Sequence, residues 1–269
     1  PYVDFRDPKP PLIFFTLALP ALFGQQLYGG LLLVGLANFL SALVLMSMGR
    51  RLYGRASGFA AGLLLLVNMA LAEGFFILTE PFTVLFILLS VYVLLFKKSE
   101  LLAGALAGIA VCYKQYALLL VPLSIFYLYR TGRLRRSGLF IAGAALPLLI
   151  IFGAIFVAYG PEAGSSLLYW SFGVADSYMT SGYLGDIPAY KAADPLIALV
   201  NAGMEAGLFV ALLAVAAAGV LLDRPPGREE ELFILAAAAF LALLAIRQYL
   251  HYWALALPFI ILLCVRAYR

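Results

Sequence analysis

Charge is scarce in this chain of 269 residues: Asp, Glu, Lys and Arg together make up 12% of it, against roughly a quarter in soluble domains. It has two cysteines, Cys112 and Cys264, both inside apolar runs. Their spacing excludes a disulfide framework and a thiolate metal site, and leaves them as small core hydrophobes. A single histidine, His251, excludes a metal centre built on histidines. No Lys/Arg-rich patch with interleaved aromatics is present, so a nucleic-acid partner is not expected. No polar run is long enough for a second, soluble domain, and residues 1–269 read as one domain. The sequence begins at Pro1 with neither a methionine nor a signal-like segment, so an upstream transmembrane helix is expected to be missing.

What fills the chain instead is apolar sequence. Hydrophobic residues make up 65% of it and the mean hydropathy is +1.02, which predicts an all-α, polytopic transmembrane helical bundle. The run 12–24, interrupted by Pro20, covers only about 20 Å as helix, too short for a hydrocarbon core of about 30 Å. It is expected to lie in the interface. A turn over 25–30 precedes the first clear span, 31–48. Further runs follow at 56–72, 81–96, 101–113, 116–129, 138–159, 203–222, 232–246 and 252–265, with a long polar loop expected over 160–201.

Charge orients these runs, because short cytoplasmic loops collect Lys and Arg. Thirteen of the eighteen basic residues fall on one side: Arg50, Arg51, Arg55, Lys97, Lys98, Arg130, Arg133, Arg135, Arg136, Arg224, Arg228, Arg266 and Arg269. The other side holds Asp4, Asp7, Glu73, Glu80, Glu162, Asp176, Asp186 and Asp194, and reads as outer or lumenal. The net charge of +4 is therefore topology, not a ligand signal.

Two pairs of runs are too short to cross and return. Residues 101–129 have basic flanks at both ends and limbs of about thirteen residues each, or about 20 Å. Their turn, Lys114-Gln115-Tyr116, should stop below the outer surface. The pair 232–246 and 252–265 places Arg247, Tyr249 and His251 at similar depth. Ionisable groups at such depth are costly and mark a functional cavity by default. The alternative for Lys114 and Arg247 is that they snorkel to the outer surface from helix ends. Glu80 fits equally an acid favoured by a helix N-terminus.

The first twelve residues, PYVDFRDPKPPL, set two acids and two cations before a Pro-Pro helix start. That string resembles the first outer loop of the dolichyl-phosphate-mannose protein mannosyltransferase-like family, part of the C-type (GT-C) glycosyltransferase superfamily. The later segments LTEPF, CYKQYALLLVP and RQYLHYWALALP are also similar to the family's. The resemblance implies a multi-pass cell-membrane enzyme that transfers a hexosyl or pentosyl group from a polyprenyl-phosphate donor to a protein, glycan or lipid acceptor on the outer face. Such chemistry needs a base at the acceptor hydroxyl and cations at the departing phosphate. It implies Asp4 and Asp7 as catalytic carboxylates, and Lys9, Glu80, Lys114, Gln115, Arg247, Tyr249 and His251 as substrate-binding residues. Many members carry their principal acid upstream of this loop, which makes Asp4 or Asp7 a candidate for the supporting role.

Within the loop 160–201, Tyr169, Trp170, Phe172, Tyr178, Tyr183 and Tyr190 suit sugar faces, although an interfacial aromatic belt alone accounts for Tyr169, Trp170 and Phe172. No cofactor motif is present. A divalent metal stays open, because two aspartates three residues apart are a weak metal signal. Two other classes remain: a multi-pass transporter or lipid flippase, and a non-catalytic membrane assembly subunit. A transporter would place charged groups near the midplane, whereas the long apolar runs are almost free of them.

Overall fold

The computed structural model of the chain describes residues 9–173, 207–246 and 250–266. Among them are ten α-helices and no strand, the all-α membrane bundle that the composition requires. The helices are α1 (Leu12–Ala21), α2 (Gln26–Tyr53), α3 (Arg55–Leu71), α4 (Glu80–Tyr92), α5 (Glu100–Tyr113), α6 (Leu120–Arg130), α7 (Ser137–Leu168), α8 (Gly207–Leu222), α9 (Arg228–Ile246) and α10 (Trp253–Arg266). Three described stretches are long and apolar enough to cross a membrane: Gln26–Tyr53, Glu80–Lys97 and Leu134–Gly173. Helix α1 has ten residues and cannot cross.

Burial separates helices that composition makes alike. Every residue of α10 from Ala254 to Arg266 is buried, and the helix packs against α3, α4, α8 and α9. Helix α4 is nearly as enclosed. Helix α7, by contrast, packs along α5 and leaves Leu149, Ile150 and Val157 exposed, the surface that lipid would cover. Small residues make the close crossings. A Cβ on Gly104 or Gly108 of α5 would run into the Phe140 or Ala144 carbonyl oxygen of α7, and one on Gly143 would run into the Leu101 carbonyl. Helices α2 and α3 meet in the same way, Gly58 lying against the Met46 carbonyl. This small-residue contact is how helices associate where no hydrophobic gradient drives them together.

The structure corrects two expected boundaries. Residues 25–30 are not a turn: α2 starts at Gln26, because Gly29 and Gly30, which look like turn signals, are points of close packing against Pro20 and Ile77. Nor does the polar loop begin at residue 160. Gly160 adopts φ +83 and bends the chain, Pro161 then fits the first turn of a new helical arm, and the helix continues to Gly173. Tyr169, Trp170 and Phe172 therefore sit on a helical arm, Phe172 packed 5.8 Å from Phe152 and Tyr169 5.6 Å from Trp170, ring centre to ring centre. Tyr178, Tyr183 and Tyr190, with Asp176, Asp186 and Asp194, lie outside the described residues.

The Arg-rich end of the bundle is stitched by carboxylates. Glu100 pairs with Arg133 at 3.0 Å and Arg136 at 3.5 Å, and Arg130 grips Glu231 at 2.7 Å. Buried Glu230 accepts Arg224 at 2.9 Å, Arg266 at 3.2 Å and the Gly227 backbone N–H at 2.6 Å, and so caps the start of α9. Arg266 also donates to the Arg224 carbonyl. Each buried charge here has a partner, as burial demands.

Candidate functional site

The opposite end of the bundle gathers a second set of charges. It is built from three turns: 72–80 between α3 and α4, 114–119 between α5 and α6, and 250–252 before α10. Glu80 opens α4, followed by Pro81, and is 1% exposed. A carboxylate suits a helix start, whose unpaired N–H groups carry partial positive charge. Thr79 donates its hydroxyl to Glu80 Oε2 at 3.1 Å.

Lys114 supplies the counter-charge. Helix α5 ends at Tyr113, Lys114 takes extended backbone angles (φ −148°, ψ 119°), and a 3-10 turn, Gln115–Leu119, leads into α6. The break turns Lys114 inward. Its Nζ lies 2.7 Å from Glu80 Oε1, and its side chain is 11% exposed. The ammonium also lies 4.9 Å from the centre of the Tyr252 ring and 5.7 Å from that of Tyr116. These two rings meet edge to face at 5.5 Å, so aromatic faces back the cation.

His251 ties the third turn to the first. Its Nδ1 lies 3.0 Å from Glu73 Oε2 and its Nε2 lies 3.8 Å from Glu80 Oε1. A carboxylate accepts, so Nδ1 donates to Glu73. Glu73 holds an unusual backbone, φ +57, just past the end of α3. The Gly74 N–H bonds to the Met69 carbonyl at 2.7 Å, the pattern of a Schellman cap in which the left-handed residue is normally glycine. Glutamate in that place costs roughly 1 kcal/mol relative to glycine. A buried amide from α2 holds the turn: Asn38 Nδ2 donates to the Gly74 carbonyl at 2.7 Å.

The start of α1 is anchored beside this cluster. Thr16 and the Tyr113 hydroxyl are 2.7 Å apart, and Tyr113 stacks on Phe82 at 5.2 Å and Phe86 at 5.8 Å. Ile13, Val34, Phe82 and Tyr113 share one small core. The helix that follows the first loop is thereby fixed to the residue preceding Lys114.

Of the residues singled out in the sequence, Glu80, Lys114 and His251 are brought together. Gln115 opens the 3-10 turn next to Lys114, and Lys9 precedes α1. Asp4, Asp7, Arg247 and Tyr249 lie outside the described residues. Sequence reasoning passed over Glu73, Thr79, Tyr116 and Tyr252 as members of this cluster. A signal for the tyrosines was present, since each adjoins a turn that carries an ionisable residue. Among the described residues, no three His, Cys, Asp or Glu side chains are grouped to hold a metal ion.

With two carboxylates, one ammonium and an imidazole, the cluster is not a bare cationic clamp. Lys114 is already paired with Glu80, so an anion binding here would have to draw it away or recruit further cations.

The chain matches the dolichyl-phosphate-mannose-protein mannosyltransferase family over residues 8–156, more than half its length. It belongs to that family. The family places it among membrane glycosyltransferases of the GT-C type. The matched segment takes in Lys9, Glu73, Glu80, Lys114 and Gln115, and ends before His251. No curated protein and no solved structure gives a significant match.

Proposed function

We propose that this glycosyltransferase moves a sugar from a polyprenyl-phosphate-linked donor to an acceptor hydroxyl, at the end of the bundle where Glu80, Lys114 and His251 meet. The observation that carries the reading is the convergence of ionisable groups from three remote turns at the end opposite the Arg-rich one. Charged groups held in an apolar bundle mark function by default, and the Arg-rich end faces the cytoplasm by the positive-inside rule. The site then faces the outer or lumenal side of the cell membrane.

The chemistry is a displacement at the anomeric carbon. The acceptor oxygen bonds to that carbon, its proton passes to a carboxylate, and the bond from carbon to phosphate oxygen breaks with its electrons leaving on the polyprenyl phosphate. Asp4 or Asp7 is the base. Lys9, Lys114 and Arg247 receive the phosphate, with Tyr249, Gln115 and His251 as supporting donors. Arg suits phosphate because its planar fork matches two oxygens at once. Glu80 keeps Lys114 inward until the anion arrives. The acceptor is a protein, glycan or lipid hydroxyl.

The test is binding of a short-chain polyprenyl phosphate to the protein in detergent. Arg247→Ala should weaken binding by about 10- to 100-fold, the equivalent of one charge-assisted hydrogen bond. Asp4→Asn and Asp7→Asn should depress transfer and leave donor binding nearly intact. No saturable binding by the wild type would sink the reading, and equal affinity in Arg247→Ala would remove Arg247 from the phosphate site.

A further inference from the structure

Glu73 has no role in the transfer scheme above, yet its backbone and its side chain are both committed. At φ +57 it occupies the left-handed position of the cap on α3, and glycine follows one residue later. Gly74 cannot exchange places with it. A Cβ on Gly74 would lie 2.7 Å from the Met69 carbonyl oxygen and 2.7 Å from the Met69 methyl. The turn is pinned before Glu73 by the Ala72 N–H to the Asn68 carbonyl, and after it by the Gly74 N–H to Met69 and by Asn38 to the Gly74 carbonyl. From this backbone the Glu73 carboxylate reaches His251 Nδ1 at 3.0 Å, across 178 residues of sequence. The other ring nitrogen faces Glu80 Oε1 at 3.8 Å, the oxygen that holds Lys114 at 2.7 Å.

We propose that Glu73 is a positioning residue: it fixes the His251 ring so that Nε2 faces the Glu80–Lys114 pair, and so sets how readily Lys114 is released to a lipid phosphate. The second half rests on the donor reading given above. With Nδ1–H committed to Glu73, Nε2 is the ring nitrogen turned toward Glu80 Oε1, the oxygen that holds Lys114. Without Glu73 the ring loses the hydrogen bond that aims Nε2 at Glu80, and the Glu80–Lys114 pair that a phosphate must open is no longer flanked by it. A side-chain acceptor in a strained backbone position is what such a role requires, since a simple cap is better made by glycine.

Three substitutions separate positioning from capping. Glu73→Ala removes the acceptor, Glu73→Gln keeps a carbonyl oxygen for Nδ1–H, and Glu73→Gly removes the acceptor while relieving the backbone. His251 is the only histidine in the chain, so protein carrying 15N-labelled histidine, purified without a polyhistidine tag, gives one imidazole spectrum. The wild type and Glu73→Gln should show a hydrogen-bonded Nδ1–H that is lost in Glu73→Ala and Glu73→Gly. Short-chain polyprenyl phosphate should bind about tenfold more weakly to the Ala and Gly variants and within about twofold of wild type to Gln. The thermal midpoint of Glu73→Gly should equal or exceed that of the wild type. An unchanged imidazole spectrum in Glu73→Ala would overturn the positioning of His251. A changed spectrum with unchanged donor affinity would overturn the link to Lys114. A changed spectrum with no donor binding by the wild type would overturn the donor reading and leave the ring positioning standing.

Discussion

Lys114→Met should cost about 3–5 kcal/mol of stability, because it leaves Glu80 as a buried carboxylate without its cation. Glu80 is 1% exposed and the ion pair is 2.7 Å long, so little water reaches the charge that remains. Methionine keeps the length of the side chain, so the loss reports charge more than a cavity. Glu80→Leu together with Lys114→Met should return most of the stability, since an apolar pair of similar volume often replaces a buried ion pair at little cost. Thermal unfolding of the two single variants and the double variant in detergent closes the cycle. Donor binding behaves differently: it should stay lost in the double variant, because the phosphate needs the cation and gains nothing from a repaired core. Stabilities that simply add would show that Glu80 and Lys114 do not depend on one another. Donor binding restored in the double variant would take Lys114 out of the phosphate site.

How far the sequence alone reaches differs between fold and site. The break at Lys114 was legible, because a Lys-Gln-Tyr insertion in an apolar run leaves two limbs too short to cross and return. The segregation of Arg to one end was legible because topology selects it. What could not be read is which residues meet. Glu80 and Lys114 are 34 positions apart, and Glu73 and His251 are 178 apart. Their meeting depends on how each helix is rotated about its axis. In a soluble helix the apolar stripe reveals that rotation. Lipid and protein interior are equally apolar, so α10, buried all round, and α7, largely exposed, look alike in sequence. The same blindness hid the carboxylates at the Arg-rich end: nothing in the sequence pairs Glu100, Glu230 and Glu231 with Arg133, Arg224 and Arg130, which they bind. Glycine misled in its own way. Gly29 and Gly30 look like a turn and are packing contacts, whereas Gly160, expected to open a polar loop, only bends the chain between two helical arms.

Gly108→Ala should destabilise the protein by several kcal/mol, although alanine is the better helix former by about 1 kcal/mol. The added methyl would strike the Ala144 carbonyl oxygen and crowd Pro147, and backbone atoms cannot rotate away as a side-chain end can. Gly153→Ala in α7 is the control. It adds the same methyl in a helix interior with nothing within 4 Å, so only the gain in propensity remains. Thermal unfolding of both variants in detergent should shift in opposite directions, and a fall of equal size in both would show that the α5–α7 crossing tolerates a wider separation. The consequence reaches the site. Helix α5 ends one residue before Lys114, about 9 Å along the axis from Gly108. Pushing α5 off α7 therefore moves the end of α5 from which Lys114 reaches Glu80. A Gly108→Ala protein that still folds should bind the lipid phosphate more weakly, with every residue of the charged cluster in place. Unchanged binding in a measurably destabilised variant would mean that Lys114 is held by its own turn and not by the packing of α5.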